Sequence, residues 1–434
     1  MADNIDRSLP LAAEEKKATS SRAYSSYVLV ILSLVSFFNY ADRMVLSVLL
    51  QPIKLEFGFT DTQLGLLSGL AFTLFYATLG LPLARLADRR SRITIIACAM
   101  VVWSTMTALC GAAQNFTHLL LARIGVGAGE AGCIPPSHSL LGDYFSKERR
   151  AFAIGVHTAG GYLGIMIGLL VAGYIAEHYG WRWTFVWLGL PGVVVALIAW
   201  LTVREPVRGC METGFTSPGK FVKWQDAFAI LFKRKTFRQI VMAYSLALFA
   251  TYGMMQWIPT FFVRSHGMSL AEIGRIYGLA TGIGGLIGVL AGGLLAPKLI
   301  RRDPRWELWL PALCYASAAP LYLLVFIMPP DIALSTVFIA NMIVALAIGP
   351  GLSSIQSVAE PHLRATAVAI VMFFSALLGQ GGGPFLIGLI SDRLLPYYGE
   401  HALRVALSVS TLLVFWSAFH FLFASRTLER DRVN

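Results

Sequence analysis

The sequence is dominated by long apolar stretches separated by short polar connections. A helix needs about 20 apolar residues to cross the hydrocarbon core of a bilayer. Hydrophobic residues make up 56% of the 434 residues and charged residues only 14%, a balance that excludes a water-soluble globular domain. About twelve apolar stretches of sufficient length fit along the chain. We therefore predict an all-α membrane protein with twelve transmembrane helices.

The predicted helices form two groups of six around a long polar linker. We assign 25–203 to the first bundle, 204–238 to the linker and 239–426 to the second bundle, with tails at 1–24 and 427–434. The first helix is placed at about 27–50 and the last at about 403–424. Thr60 or Asp61 supplies an N-cap for the second helix. Apolar residues near 224–232 recur at helical spacing and predict an amphipathic helix on the membrane surface.

The positive charge of the chain follows its predicted topology. The net charge is +11, and 27 of the 35 Lys and Arg residues fall on one side of the membrane when the N-terminus is placed in the cytoplasm. Cytoplasmic loops carry such an excess of basic residues. The charge therefore indicates topology, and we expect no nucleic-acid partner. The prediction is a multi-pass protein of the cytoplasmic (inner) membrane with both termini inside.

The sequence contains no pattern typical of a metal or cofactor site. The five cysteines lie mostly inside apolar stretches, and their spacing matches no metal or redox motif. Residues 1–22 lack the apolar core of a signal peptide, so we interpret them as a cytoplasmic tail. We expect no metal, no cofactor, and a monomer surrounded by membrane lipids.

Two adjacent charges, Asp42 and Arg43, lie in the middle of the first predicted helix. A charge at that depth is costly unless it has a partner or meets water. One interpretation is a local ion pair that fixes this helix to its neighbours. The other is a protonatable carboxylate beside a fixed cation, facing a water-filled cavity where substrate and proton meet.

The fourth predicted helix, at about 118–141, carries a second pair of charges, Arg123 and Glu130. They are seven positions apart, so they lie on nearly the same face of the helix and about 10 Å apart along its axis. Glycines at 125, 127 and 129 lie between them. These glycines predict a close approach of the first and fourth helices, with room beside the charges.

The four charges suggest a hypothesis for proton coupling. Burial raises the pKa of a carboxyl group, whereas a neighbouring guanidinium lowers it, so the balance can respond to conformation. We expect Asp42 and Glu130 to carry the proton, with Arg43 and Arg123 alternating as their partners. An anionic headgroup would compete for a guanidinium, because arginine binds phosphate and carboxylate in a bidentate fashion. Its binding would then favour protonation of the displaced carboxylate.

A basic connection follows the second predicted helix and reads Ala84-Arg85-Leu86-Ala87-Asp88-Arg89-Arg90-Ser91-Arg92-Ile93. It resembles the signature G-x-L-a-D-R-x-G-R-R of the major facilitator superfamily, although both glycines and the last basic residue are replaced. The resemblance implies two six-helix bundles that work by alternating access. It also implies a cytoplasmic gate, locked in the outward-open state, formed by Asp88, Arg89, Arg92 and Asp143. The alternative is a solvated charge run that only marks the cytoplasmic side.

A narrower resemblance is to the spinster-like branch of the superfamily. It rests on Asn39-Tyr40-Ala41-Asp42-Arg43, on Arg123-Ile124-Gly125-Val126-Gly127-Ala128-Gly129-Glu130-Ala131, on Gly142-Asp143-Tyr144-Phe145 and on the Arg149-Arg150 loop. Spinster-like proteins are proton-linked carriers associated with lysophospholipids and sphingosine phosphate. The resemblance therefore implies a bacterial homologue that transports a lysolipid or sphingolipid-like amphiphile. Organic-anion carriers share a similar fourth helix, so an organic-anion or sugar-acid carrier is the alternative.

Polar and aromatic residues at mid-helix positions are candidates for the cavity between the bundles. The second bundle is poorer in charge and richer in aromatic residues, which suits an acyl chain. Any one of these side chains could instead be an ordinary core residue. The candidates are Asn39, Tyr40, His157, Tyr162, Tyr252, Gln256, Trp257, Phe373 and Gln380.

We expect a transporter and not an enzyme. A membrane-embedded lipid hydrolase or acyltransferase needs a nucleophile with its base, or a metal cluster near an interface, and the sequence offers neither. A channel would need a ring of repeated polar pore residues, which is also missing. The predicted function is proton-coupled secondary transport by alternating access.

Overall fold

The computed structural model describes residues 21–208 and 224–433. The predicted tail up to residue 20, the middle of the linker and Cys210 lie outside the described residues. Within these two ranges the chain is helical and contains no β-strand. The predicted all-α class is confirmed.

Six membrane helices form each half. Those of the N-half are α1 (Arg22–Phe57), α2 (Asp61–Ala87), α3 (Arg92–Cys110), α4 (Phe116–Glu130 and Ile134–Tyr144), α5 (Lys147–Tyr179) and α6 (Trp181–Thr202). Those of the C-half are α7 (Lys235–His266), α8 (Leu270–Ile300), α9 (Trp306–Val325), α10 (Pro330–Leu346 and Ile348–Ser357), α11 (Arg364–Phe374, Ser375–Gly381 and Gly382–Tyr398) and α12 (Ala402–Asp431). A short helix, Trp224–Lys233, precedes α7 where the sequence predicts an amphipathic helix.

The described residues contain ten helical stretches that are long and apolar enough to cross a membrane. One of them, Arg364–Asp431, comprises α11 and α12, which pack against each other and are separated by a turn at Gly399 with φ of 52°. The remaining span is α4, whose two segments are each short because the helix breaks after Glu130, before Pro135 and Pro136. This division accounts for the twelve predicted spans.

Several helices run further than the sequence predicts. We placed the end of the first helix near residue 50, but α1 continues through Pro52 to Phe57. Proline removes only one backbone hydrogen bond, and the rest of this long helix tolerates the loss. The helix ends at Gly58, which adopts φ of 68° and donates its N–H to the Lys54 carbonyl. Similarly, α12 extends to Asp431 instead of residue 424.

We call the end of the bundle that carries the α1–α2 connection the Asp61 side, and the opposite end the linker side. Glycines bring the two halves into backbone contact along two seams. At the α5–α8 seam, a Cβ atom on Gly173 would lie 2.2 Å from the Leu270 carbonyl oxygen. At the α2–α11 seam, a Cβ atom on Gly65 would lie 2.4 Å from the Pro384 carbonyl oxygen. A side chain at either glycine would push the halves apart.

Towards the linker side, glycines of both halves face open space. A Cβ atom on Gly80, Gly155, Gly293 or Gly349 would meet no atom within 4 Å. The glycine contacts between the halves lie on the Asp61 side and near the middle of the bundle. The halves therefore meet on the Asp61 side.

Candidate functional site

The four membrane charges lie together inside the N-half. Arg43 pairs with a carboxylate of another helix and not with its sequence neighbour Asp42. The Arg43 Nε donates to Glu130 Oε2 at 2.6 Å, which joins α1 to α4. Asn39, one turn before Arg43, donates to the same oxygen at 3.0 Å. All three side chains are buried. The central ion pair is thus formed by the cation of one helix and the carboxylate of another.

Asp42 points away from this pair. Adjacent residues of an α-helix are rotated by about 100° from each other, so Asp42 and Arg43 cannot face the same neighbour. The Asp42 carboxylate accepts a hydrogen bond of 3.3 Å from the hydroxyl of Thr107 on α3. Its exposed fraction is 0%, so in this conformation Asp42 lies within the N-half instead of at an open cavity.

Arg123 is held mainly by α2. Its Nε donates to the Leu67 carbonyl oxygen at 3.4 Å, and its guanidinium lies 5.4 Å from the centre of the Phe72 ring. Arg43 also lies over the Phe72 ring, at 5.1 Å, and over the rings of Tyr40 and Tyr76. Aromatic faces attract cations, so the rings stabilise both guanidinium groups out of water.

Each of the four charged side chains, and Asn39 beside them, keeps at least one atom without a hydrogen-bond partner among the described residues. Such atoms are costly, and each needs an explanation such as a functional role, a bound water or an ion. The unpartnered atoms are Asn39 Oδ1, Asp42 Oδ1, Arg43 Nη2, Arg123 Nη1 and Glu130 Oε1.

The glycines of α4 have a different role from the predicted one. We expected them to bring α1 and α4 together, but they face α2 and α3. A Cβ atom on Gly127 would lie 2.2 Å from the Phe72 carbonyl oxygen, and one on Gly129 would lie 2.7 Å from the Trp103 backbone nitrogen. Gly125 faces Met106 of α3 in the same way. The glycines thus position α2 and α3, which carry the partners of Arg123 and Asp42.

The C-half meets the charged site through α7 and α11. The Gln256 side chain donates to the Arg43 carbonyl oxygen at 3.2 Å, which links the halves next to the ion pair. Tyr252, one turn before Gln256 on α7, lies beside Gln380 of α11. Tyr162 of α5 packs against α8, where it faces Gly285. Four predicted cavity residues therefore lie where the halves meet.

Three predicted cavity residues have other surroundings. Trp257 is completely buried and donates its indole N–H to the Pro384 carbonyl oxygen, so it packs between α7 and α11 and does not line a cavity in this conformation. Phe373 packs edge-on against Phe374. His157 is buried, and its ring lies edge-on at 5.2 Å from His138 of α4, a contact that the sequence analysis missed.

The predicted gate residues divide into a buried cluster and an exposed pair. Arg92, which is buried, contacts Asp143 at 2.5 Å and the Ser139 hydroxyl at 2.8 Å in the N-half, and Glu205 at 2.6 Å at the start of the linker. Asp88 and Arg89 are exposed on the linker side. Glu205 was not predicted from the sequence, although an acidic residue in an otherwise basic connection was a usable signal.

A second cluster, on the Asp61 side, joins the halves. The Asp61 carboxylate accepts two hydrogen bonds of 2.8 Å from Arg264 of α7 and further ones from Lys54 and Ser391. In turn, Asp392 of α11 accepts from the backbone N–H groups of Asp61 and Thr62. Thr60, one of the two predicted N-cap candidates, caps α2, and Asp61 joins the halves instead. No local pattern points to a pair so far apart in the chain.

The chain was also compared with known proteins. The sequence profile of the Major Facilitator Superfamily matches residues 32–384. An MFS-type efflux pump of Mycolicibacterium smegmatis is 35% identical over 92% of this chain and 92% of its own length. The sphingosine-1-phosphate transporter SPNS2 of Danio rerio is 27% identical over 88% of this chain and 79% of its own.

Among solved structures, a bacterial homologue of the human lysosomal transporter Spinster superimposes with a TM-score of 0.85. It is 31% identical in sequence, and the match covers 95% of this chain and 99% of that one. That crystal structure is in an inward-facing, unoccupied conformation. Together with two six-helix halves around a charged centre, these similarities identify the chain as a member of the major facilitator superfamily, in its spinster-like branch.

Proposed function

We propose that this protein is a proton-coupled secondary transporter that moves a lysolipid or sphingolipid-like amphiphile by alternating access. The observation that carries the proposal is the buried Arg43–Glu130 pair of the N-half, next to the hydrogen bond from Gln256 that links the halves. Each partner keeps one unpartnered polar atom there. The named sphingosine-1-phosphate transporter among the relatives supports the substrate class.

Competition for Arg43 would link substrate to proton. An anionic headgroup that binds the Arg43 guanidinium weakens its hydrogen bond to Glu130. A buried carboxylate that loses its cation is then stabilised by taking up a proton. Asp42 is a second proton carrier in this proposal, because it is fully buried and its carboxylate accepts a hydrogen bond from the neutral Thr107 hydroxyl. Arg123, whose Nη1 has no hydrogen-bond partner among the described residues, is the second headgroup ligand.

The surroundings of the charges support an amphiphilic substrate. The headgroup would lie against α1 and α4, and the acyl chain would extend along the aromatic surfaces of α7 and α11. Tyr40, Tyr76 and Tyr252 surround Arg43 and offer both a ring face and a hydroxyl group. Such side chains suit the boundary between a charged head and an apolar tail.

The distribution of basic residues supports an orientation with the linker side in the cytoplasm. In that orientation the contacts on the Asp61 side close the outer face, and the conformation is inward-facing. Asp88, Arg89, Arg92 and Asp143 would close the cytoplasmic face in the opposite state. The protein would act as a monomer in the cytoplasmic membrane.

Thermal-shift measurements with lysophospholipids, sphingoid phosphates, sugars and small organic acids test the substrate class. Any stabilising compound is then tested for uptake into proteoliposomes under an imposed pH gradient. We expect lysolipids to stabilise the protein and the gradient to drive their uptake. Stabilisation by short water-soluble acids alone would overturn the lipid assignment.

The double variant Asp42→Asn/Glu130→Gln tests the proton carriers. We expect it to lose the dependence of uptake on the pH gradient, because neither amide can carry the proton. Glu307→Gln is a matched control, since Glu307 is a buried carboxylate of α9 outside the charged site. Unchanged gradient-driven uptake by the double variant would exclude Asp42 and Glu130 as proton carriers.

A second candidate is export of an organic anion through the same charges. The 35% identity to an MFS-type efflux pump favours it. The ion pair would act in the same way with a carboxylate ligand. The thermal-shift panel separates the two candidates, because only the amphiphile carrier gains affinity with acyl-chain length.

A further inference from the structure

One ring, that of Phe72 on α2, lies under both arginines of the site. The Arg43 and Arg123 guanidinium carbons lie 5.1 and 5.4 Å from its centre. Phe72 is buried, with 1% of its side chain exposed. Two buried like charges repel each other, and a shared ring face offsets part of that cost because its π electrons attract both cations.

The backbone of α2 fixes this ring in place. Gly127 of α4 allows the Phe72 backbone to approach so closely that a Cβ atom on the glycine would lie 2.2 Å from its carbonyl oxygen. One turn later on α2, Tyr76 stacks on Phe72 at 5.6 Å and lies 4.6 Å from the Arg43 guanidinium. Just before it, the π-helical segment Leu66–Leu70 supplies the Leu67 carbonyl that binds Arg123. Thus α2 binds both arginines through separate groups.

We propose that Phe72 is a positioning residue of the coupling site. Its ring holds Arg123 apart from the Arg43–Glu130 pair and leaves Nη2 of Arg43 and Nη1 of Arg123 available to an anionic headgroup. This proposal rests on the proposed function, because it assigns Phe72 a part in linking the headgroup to the proton on Glu130.

Loss of the ring would change the electrostatic surroundings of Glu130. Without Phe72, Arg123 is free to approach Glu130, which lies on the same helix. A second cation near a carboxylate favours its ionised form, so protonation then requires a lower pH. The Arg123 Nη1 would also be taken up by the carboxylate, which weakens headgroup binding. The other titratable or charged groups near Glu130 are Tyr40, Asp42 and Arg43 of α1, Tyr252 of α7, and Cys133, at the break in α4.

The test compares Phe72→Leu and Phe72→Met with Phe72→Tyr, which keeps the aromatic face. Uptake of lysophosphatidic acid into proteoliposomes is measured against pH. For the Leu and Met variants we expect the midpoint of the pH profile to move to lower pH by about 0.5–1 unit. We also expect KM to rise roughly 3- to 30-fold, the size of lost cation–π contacts. Phe72→Tyr should restore both values towards wild type.

Phe185→Leu is the matched control, because Phe185 is a fully buried phenylalanine of α6 outside the charged site. It should lower stability without moving the pH midpoint. Unchanged midpoint and KM in a folded Phe72→Leu or Phe72→Met variant would overturn the proposal. So would equal shifts in Phe185→Leu.

A second measurement does not depend on transport. The thermal unfolding midpoint of the detergent-solubilised protein is followed against pH, and the inflection that Glu130→Gln abolishes is assigned to Glu130. We expect Phe72→Leu to move this inflection to lower pH. If wild type shows no gradient-driven uptake, the proposed function fails, while this inflection still tests Phe72. An inflection that stays in place would overturn the positioning role.

Discussion

Asp61 of α2 and Arg264 of α7 join the two halves of the protein through two parallel hydrogen bonds of 2.8 Å. Their side chains are 203 positions apart in the chain, and only 4% of the Asp61 side chain is exposed. Lys54 and Ser391 contact the same carboxylate, while Asp392 binds the start of α2 in return. Opening on the Asp61 side must break the contacts with Arg264, Ser391 and Asp392, whereas the contact with Lys54 lies within the N-half.

Asp61→Asn is therefore expected to favour opening on the Asp61 side. It removes the charge that Arg264 and Lys54 share, and a loss of about 1–2 kcal/mol changes the ratio of the two states roughly 5- to 30-fold. The measurement is the rate of thiol labelling at Leu403→Cys, followed by mass spectrometry. Leu403 is buried and lines a cavity of about 300 Å³ beside the pair. Faster labelling is expected for Asp61→Asn, but not for Glu400→Gln, which lines the same cavity.

Thr107→Val tests the surroundings of Asp42. Valine keeps the shape of threonine but removes the hydroxyl that donates to the Asp42 carboxylate. Loss of a donor disfavours the ionised form, so Asp42 should take up its proton at a higher pH. The pH profile of uptake should move in the alkaline direction by about 1 unit, equivalent to about 1.4 kcal/mol.

Thr411→Val serves as the control for this shift. Thr411 is a buried threonine of α12 whose hydroxyl donates to a carbonyl of its own helix. Its replacement should leave the pH profile where it is. An unshifted profile in Thr107→Val would show that Asp42 does not titrate during transport.

Gly127→Ala should destabilise the N-half. The added methyl group would lie 2.2 Å from the Phe72 carbonyl oxygen, so α2 and α4 must separate. Overpacking of this kind costs about 1–3 kcal/mol. The thermal unfolding midpoint in detergent measures it against Gly155→Ala, where the methyl group meets no atom within 4 Å and helix propensity improves. Equal midpoints for the two variants would contradict the close approach.

Arg92→Lys should also lower stability. The Arg92 guanidinium binds Asp143 and Glu205 through different nitrogens, and only 2% of the side chain is exposed. An ammonium group cannot reproduce this planar geometry, so the expected loss is about 1–3 kcal/mol. Arg89→Lys, at an exposed position two residues beyond α2, should have no effect on the unfolding midpoint. Equal unfolding midpoints for Arg92→Lys and Arg89→Lys would indicate that the Arg92 cluster is unimportant for stability.

The architecture could be predicted from the sequence because each membrane span must itself be apolar over its length, whatever it packs against. Apolar length predicted twelve spans, and the four charges in α1 and α4 marked the site because uncompensated charges are rarely retained at that depth. Helix ends were less certain, as at Pro52, because the tertiary packing of a long helix outweighs one lost hydrogen bond.

Which residues become partners was decided by the tertiary structure. The sequence placed Asp42 next to Arg43, but helix rotation turns them to different neighbours, and Glu130 becomes the partner of Arg43. The α4 glycines were recognisable as sites of close approach, yet only the packed bundle shows that they contact α2 and α3. The Asp61–Arg264 pair joins distant segments that meet only when the two halves come together. Local sequence determines which buried charged groups need a partner. The packing of the helices and halves determines which residue becomes that partner.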